Sequence, residues 1–354
     1  MKQGRELGVL WDEINRQHGL KHDFLPYATD ITFQAKNPET QICAIKGKGE
    51  FGPTQLFQNQ LSEALGIPLK YYQRMLLEDP GLLETNVNTW LQRSEKQYMV
   101  RTLDGRARAF LSNRYNRIDH LQVMDTVLPE LEGIPDVKIA SCEVTENKLY
   151  LKILNPRLKG EIKVDDVVES GIVISNSEVG MGSVSVTPLL YRLVCKNGMI
   201  ANNLAARKYH IGSAQNDLDM FFSDETKKAD DKAFLMRIRD LIRAMCDRAQ
   251  FEKLLSQLKT ATAQPIEGNI HEVVELTAKE TSLTKEEGQA VLSHLIRSDD
   301  YTKYGLANAI TRTSQDVKGY ERATELENIG WSVATFSHNT WTRLNAPTTE
   351  SRLF

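Results

Sequence analysis

The chain has 354 residues, 41% of them hydrophobic and 26% charged; this ordinary globular composition is enough for two or three domains and excludes disorder as the default state. The formal net charge of −3 excludes a global attraction to polyanions, so any nucleic-acid footprint must be built locally, by separating basic stretches from acidic ones.

The N-terminus, MKQGRELGVLWDEINRQ, lacks the apolar core of about 7 to 15 residues that a signal peptide needs, and no run approaches the ~18 apolar residues of a membrane span. These features predict a cytosolic chain without membrane contact, in which residues 1–30 form an N-terminal helical segment. Residues 31–46 read as two short strands across a polar turn at Asn37 and Pro38, because apolar residues alternate or are β-branched on both flanks. The spacing then becomes helical at Leu56, Phe57, Leu61, Ala64 and Leu65. Gly66 ends that run, and Pro68 suits the first turn of a second helix through Tyr71, Tyr72, Met75 and Leu76. A third helix is expected through Leu82, Leu83, Val87, Trp90 and Leu91.

From Gln97 to Ser112 the alternation is strand-like, with Asp104-Gly105 as a hairpin signal between YMVRTL and RARAFL. Leu121 to Leu131 has helical spacing. Residues 137–154 alternate about a turn at Glu146 and Asn147, and strand-rich material follows on both sides of Gly180 and Gly182. After SAQNDLD the character changes to long helices, one marked by Phe234, Leu235, Ile238, Leu241 and Ile242, another opened by a Thr284/Glu287 capping box. The predicted class is therefore α+β. A mixed region with antiparallel sheet and helices covers 31–220, a helical region covers 221–336, and a loose tail covers 337–354.

Cys43, Cys142, Cys195 and Cys246 are far apart and form no C-x-x-C unit, so four reduced thiols are expected and no zinc knuckle. His18 and His22 are four apart without a carboxylate-bearing helix nearby, and neither a metal nor a cofactor is predicted. GKGEFG, Gly47 to Gly52, matches G-x-G-x-x-G, yet residues 54–77 read as two helices without the β-α-β return that a dinucleotide site needs. The expectation is a glycine-rich turn feeding a helix, where Lys46, Gly47, Lys48 and Gly49 offer a place for a phosphate. QLSEALGIPLKYYQRML has the outline of a helix-turn-helix, with an ordinary packed helix pair as the preferred reading.

Two stretches stand out by charge. GRARAFLSNRYNRI places Arg106, Arg108, Arg114 and Arg117 around Phe110 and Tyr115 without an acid, and between Val179 and Asn216 there is no Asp or Glu while Arg192, Lys196, Arg207, Lys208 and Tyr209 fall in it. Guanidinium and ammonium groups suit phosphates and aromatic faces suit unstacked bases. Strict alternation would put Arg106, Arg108 and Phe110 on one outward face and Ala107, Ala109 and Leu111 on the core face.

At RAFLSNRYNRIDH, at NSEVGMGSVSVTPLLYRLVCKNGM and at YGLANAITRTSQDVKGYERATELENIG, the chain resembles the phage- and plasmid-borne family known as domain of unknown function 932, over roughly residues 50 to 335. The resemblance implies a bacterial host cell and a mobile element, with a DNA-handling or anti-defence role, and carries over no catalytic residue. The leading expectation is a non-enzymatic nucleic-acid-binding protein, for single-stranded DNA, acting in replication, recombination or host interaction. The alternative is a homo-oligomeric interaction protein acting on a host defence protein. A third reading, a metal-dependent nuclease using Glu143, Asp165, Asp166 or Glu178, has no ligand spacing behind it. Whether residues 105–118 and 179–216 meet on one face decides between the first two.

Overall fold

The computed structural model describes residues 1–115, 117–208, 224–244 and 247–346. The chain opens with α1 (Leu7–Leu20), followed by β1 (His22–Phe24), β2 (Ile31–Asn37), β3 (Thr40–Ile45), β4 (Gly49–Pro53), α2 (Gln55–Ala64), α3 (Leu69–Glu78), α4 (Pro80–Gln92), β5 (Tyr98–Leu103) and β6 (Arg106–Ser112). The strands form one six-stranded sheet in the order β1-β5-β6-β4-β3-β2, antiparallel except where β4 runs parallel to β6. Asp104 and Gly105 both take left-handed backbone, φ 51° and 73°, the geometry a two-residue hairpin demands. Thr54 and Asp79 cap α2 and α4 by accepting from the amides of Phe57 and Leu82. Helices α2 to α4 cover one face of this sheet, closing a core of Phe33, Phe57, Leu61, Tyr72, Leu83 and Val87. Tyr72, from the helix-turn-helix outline, is therefore a core residue. Strand β2 would be an open edge, but the Asn88 side chain accepts from the Phe33 amide and donates to its carbonyl, both at 2.8 Å, and Glu84 takes the Ala35 amide at 3.0 Å; α4 thus stands in for a neighbouring strand.

The second sheet follows α5 (His120–Glu132): β7 (Lys138–Val144), β8 (Leu149–Glu161), β9 (Val167–Asn176), β10 (Val184–Arg192) and β11 (Asn197–Ile200) make an antiparallel meander, and β12 (Ala206–Lys208) returns onto β10. One face is closed by α1, α5 and α6 (Asp224–Ala244), which bring Leu10, Val123 and Ile238 onto Ile153, Ile172 and Val186. The remaining helices are α7 (Arg248–Thr262), α8 (Ile270–Thr281), α9 (Lys285–Ser298), α10 (Lys303–Thr313), α11 (Tyr320–Ala334) and α12 (His338–Asn345). They share a core with the β8–β9 turn end of the sheet, through Phe251, Leu255, Tyr304, Trp331 and Val168. The Thr284/Glu287 capping box forms as the sequence indicates.

The α+β class is as expected, and the structure adds detail to the expected boundaries. Among the described residues, 31–208 contribute to two sheets with separate cores. The helical region does not start a core of its own, since its first helix completes the core of the second sheet. The supposed tail contains α12, whose Trp341 and Leu344 are buried. Periodicity marks an element; it does not say which core receives it.

Helices α10 and α11 touch at Gly330, where a methyl group would lie 2.1 Å from Thr311 Cγ2 and 3.0 Å from the Ala307 carbonyl oxygen. Gly330→Val is expected to force the helices apart at a cost of about 1–3 kcal/mol, seen as a lower midpoint in urea unfolding. An unchanged midpoint would refute this close approach.

Candidate anion-binding cleft

The arginine-rich stretch lies on β6, and its pairing with β5 slips by one residue: Arg101 faces Ala109 and Thr102 faces Ala107, leaving Arg108 as the extra residue of a β-bulge. A bulge reverses the in-and-out order beyond it. Ala107 and Phe110 consequently point into the core under α2 to α4, while Ala109 and Leu111 join Met99 and Tyr115 on the other side. The expected outward face of Arg106, Arg108 and Phe110 does not exist. Phe110 is stacked on Tyr98 at 4.4 Å and edge-on to Phe57 at 5.5 Å. Tyr115 is buried as well, its hydroxyl donating to the Ser177 carbonyl at 2.8 Å, and burial raises its pKa. Neither ring is available to a base.

Beneath the bulge lies a network that no single stretch of sequence announces. Arg101, 3% exposed, pairs with Asp23 at 2.7 Å and Asp119 at 2.9 Å and donates to the Glu178 carbonyl at 2.7 Å. Lys21 bridges Asp119 at 2.8 Å and the Glu178 carboxylate at 3.0 Å. That carboxylate also accepts from the His120 amide at 2.7 Å. Burial works against its charge, but His120, Lys21 and Arg101 outweigh burial and hold it below the usual carboxylate range. Asn176 Nδ2 donates to the Ile118 carbonyl and contacts His120 Nδ1 at 3.0 Å. Arg117 is exposed and reaches Asp23 at 3.4 Å.

Arg108 leaves the network for a cleft of about 260 Å³ between α1, the β5–β6 turn and the β7–β8 turn. Four guanidinium groups line it. Arg5, held by a β-bridge to Cys142, pairs with Glu143 at 2.7 Å. Arg16 pairs with Glu13 at 2.8 Å and Asp104 at 2.7 Å, and holds the Glu13 carboxyl down at about 2. Arg108 donates to the Glu146 carbonyl at 3.1 Å but is 3.7 Å from Glu178, and burial lowers its pKa. Arg106 is exposed and has no hydrogen-bond or ion-pair partner among the described residues. Arg5 and Arg16 were not legible as site residues, since nothing near them in sequence clusters charge; the tertiary fold brings them in.

The other expected residues lie elsewhere. Arg192 sits at the far end of β10, bound to Asp166 at 2.5 Å and over the Tyr304 ring at 5.8 Å. Lys196 is exposed in the following turn with left-handed backbone, φ 50°. Arg207 pairs across from Ser185 at the near end, its side chain on Asn202, and Lys208 is opposite Val184. Tyr209 lies outside the described residues. About seven strand positions, roughly 23 Å, separate Arg192 from Arg207. The two acid-free stretches do touch, at Gly180, where a methyl group would lie 2.7 Å from Leu111 Cδ2, and where Gln60 donates to the Val179 carbonyl at 2.8 Å. What meets there is buried packing, so the cations do not merge into one face. Arg114 is exposed in the loop after β6.

Lys46, Gly47 and Lys48 form the β3–β4 turn and Gly49 opens β4, so the turn feeds a strand and not a helix, correcting that expectation. The Lys46 and Lys48 amides are engaged by the Asp30 and Ile45 carbonyls at 2.9 Å. The carboxylates considered for a nuclease also disperse. Asp165 and Asp166 occupy the β8–β9 turn, whereas Glu143 and Glu178 lie at the opposite end of the second sheet, about 30 Å away along β9.

A family model described as domain of unknown function (DUF932) matches residues 109–348. No curated protein and no solved structure matches the chain.

Burial lowers the His120 imidazole to about 4, partly opposed by Glu178. Between the ordinary histidine value near 6.5 and about 4, the unfolded chain takes up a proton that the folded one refuses, so stability falls as pH falls through that window, by roughly 3 kcal/mol. His120→Gln should flatten the dependence of the unfolding free energy on pH between about 6.5 and 4; a slope equal to that of the parent would show that His120 is not the group responsible.

Proposed function

Because the chain belongs to the family described as domain of unknown function (DUF932), a description that names no activity, we propose a function from geometry: the protein binds a nucleic-acid strand, single-stranded DNA, by its phosphates in the arginine cleft. The setting is the replication or recombination of a phage or plasmid. The observation that carries this reading is Arg106, exposed and without a partner among the described residues beside Arg5, Arg16 and Arg108. An exposed guanidinium without a partner of its own is stabilised by an anion, and phosphate matches its donor fork. A cleft of about 260 Å³ suits individual phosphates of a flexible single strand better than the body of a stiff duplex. With Phe110 and Tyr115 in cores, affinity comes from phosphates and the preference among bases is weak.

Two or three neutralised phosphates correspond to a slope of about −1.5 to −2 in log affinity against log salt for a single strand. Fluorescence anisotropy with a series of fluorescently labelled oligonucleotides of differing base composition should give that slope, near-equal affinities across the series, and a loss of about tenfold in Arg106→Ala, about the value of one charge-assisted hydrogen bond. Absence of binding to any oligonucleotide at low salt would end this reading.

A second reading, an oligomeric protein that acts on a host protein, is the one favoured by the separation of the two acid-free stretches, whose cations share no face, and it is supported by the outer side of α3 and α4, where Leu77 is 70% exposed and Leu82 and Trp90 over 40%. Large apolar groups in that number on adjacent helices suit a partner surface. If it is one, Leu77→Lys should lower the mass measured in solution by light scattering, or abolish host-protein co-purification that survives nuclease; neither change would dismiss it.

A further inference from the structure

We infer that the arginine cleft takes the terminal phosphate of a strand, a phosphomonoester, and does not track a continuous run of internal phosphates. The inference rests on the strand-binding reading above and narrows its ligand. Three carboxylates, Glu13, Asp104 and Glu146, line the same cleft as the arginines. Glu13 is held ionised by Arg16, whose other branch holds Asp104. A backbone laid through the cleft brings further phosphates every few ångströms and sets at least one of them against these acids, where like charges repel. A single phosphate placed between Arg106 and Arg108 escapes that conflict, because everything beyond it can leave into solvent.

The charge balance points the same way. Arg5 and Arg16 already have carboxylate partners at 2.7 Å. Arg106 has none among the described residues, and Arg108 has only the distant Glu178 oxygen at 3.7 Å. Glu146 in the same cleft and Glu178 offset part of the Arg108 charge, so the pair suits one phosphate group and not a succession of them. A phosphomonoester carries −1.5 to −2 near neutral pH with three strong acceptor oxygens, whereas an internal diester carries one charge. The cleft, about 260 Å³, is at or below the ~300 Å³ lower end of small-ligand pockets, room for one phosphate and its sugar but not for a succession of nucleotides.

The test compares one oligothymidylate in three forms, phosphorylated at its 5′ end, phosphorylated at its 3′ end and with both ends as hydroxyls, against the full chain, Arg106→Ala, Arg106→Lys and the remote surface control Arg74→Ala. A phosphorylated form is expected to bind at least about tenfold tighter than the hydroxyl form, a preference lost in Arg106→Ala, partly kept in Arg106→Lys and untouched in Arg74→Ala, with orthophosphate competing. Equal affinity for all three forms, weakened alike by Arg106→Ala, overturns the terminal-phosphate inference while leaving strand binding in place. No binding of any form, with Arg106→Ala folded as the parent by circular dichroism, overturns both.

Discussion

The structure depends on the neutralisation of one buried charge. Arg101 is on a strand of the first sheet, where a lone guanidinium would be prohibitively costly, and its partners come from everywhere but that strand: Asp23 from β1, Asp119 from the start of α5 and the Glu178 carbonyl from just past β9. Satisfying Arg101 therefore fixes how the two sheets meet. Lys21 and the His120 amide then complete Glu178, and Asn176 positions the imidazole. A network of this kind is weak evidence of high stability, since breaking one member costs more than the whole contributes; its use here is to specify one arrangement of two sheets that have separate cores.

That constraint also shapes the cleft. Because Arg101 must face the junction while Ala107 and Phe110 must face the α2–α4 core, β6 accommodates both by the bulge at Arg108. The bulge turns Arg108 toward Glu178 and Glu146 and leaves Arg106 outside. Some of the chain's conspicuous cations are engaged by its own side chains, Arg192 by Asp166, Arg117 by Asp23 and Arg207 by Asn202. This is how a chain of near-neutral charge carries arginine-rich stretches without a uniformly basic surface, and why so small a group of residues is left to meet a ligand.

The family match begins at residue 109, within β6. Four members of the ionic junction, Asp119, His120, Asn176 and Glu178, lie inside the matched region, and three, Lys21, Asp23 and Arg101, precede it. The cleft is divided the same way: Glu146 is inside, Arg5, Arg16 and Arg106 before. The matched region is thus completed electrostatically by a segment outside it, and the candidate ligand site exists only where the two are joined.

By itself, the sequence determined the elements whose cause is local. The Asp104-Gly105 hairpin follows from two residues that tolerate left-handed backbone, the α9 start from Thr284 and Glu287, and the α2–α3 break from Gly66 and Pro68. The arginine stretch was legible as the place to look for a site. Tertiary structure decided which of its residues are available. An alternation of two residues cannot reveal a bulge, because the bulge arises from competition between two cores for one strand; that competition put Phe110 inside. Nor can spacing reveal Arg5 and Arg16, which reach Arg106 only because α1 lies across the junction that Arg101 holds together. Charge compensation acts through space over a few ångströms, and those ångströms separate residues about ninety positions apart in the chain.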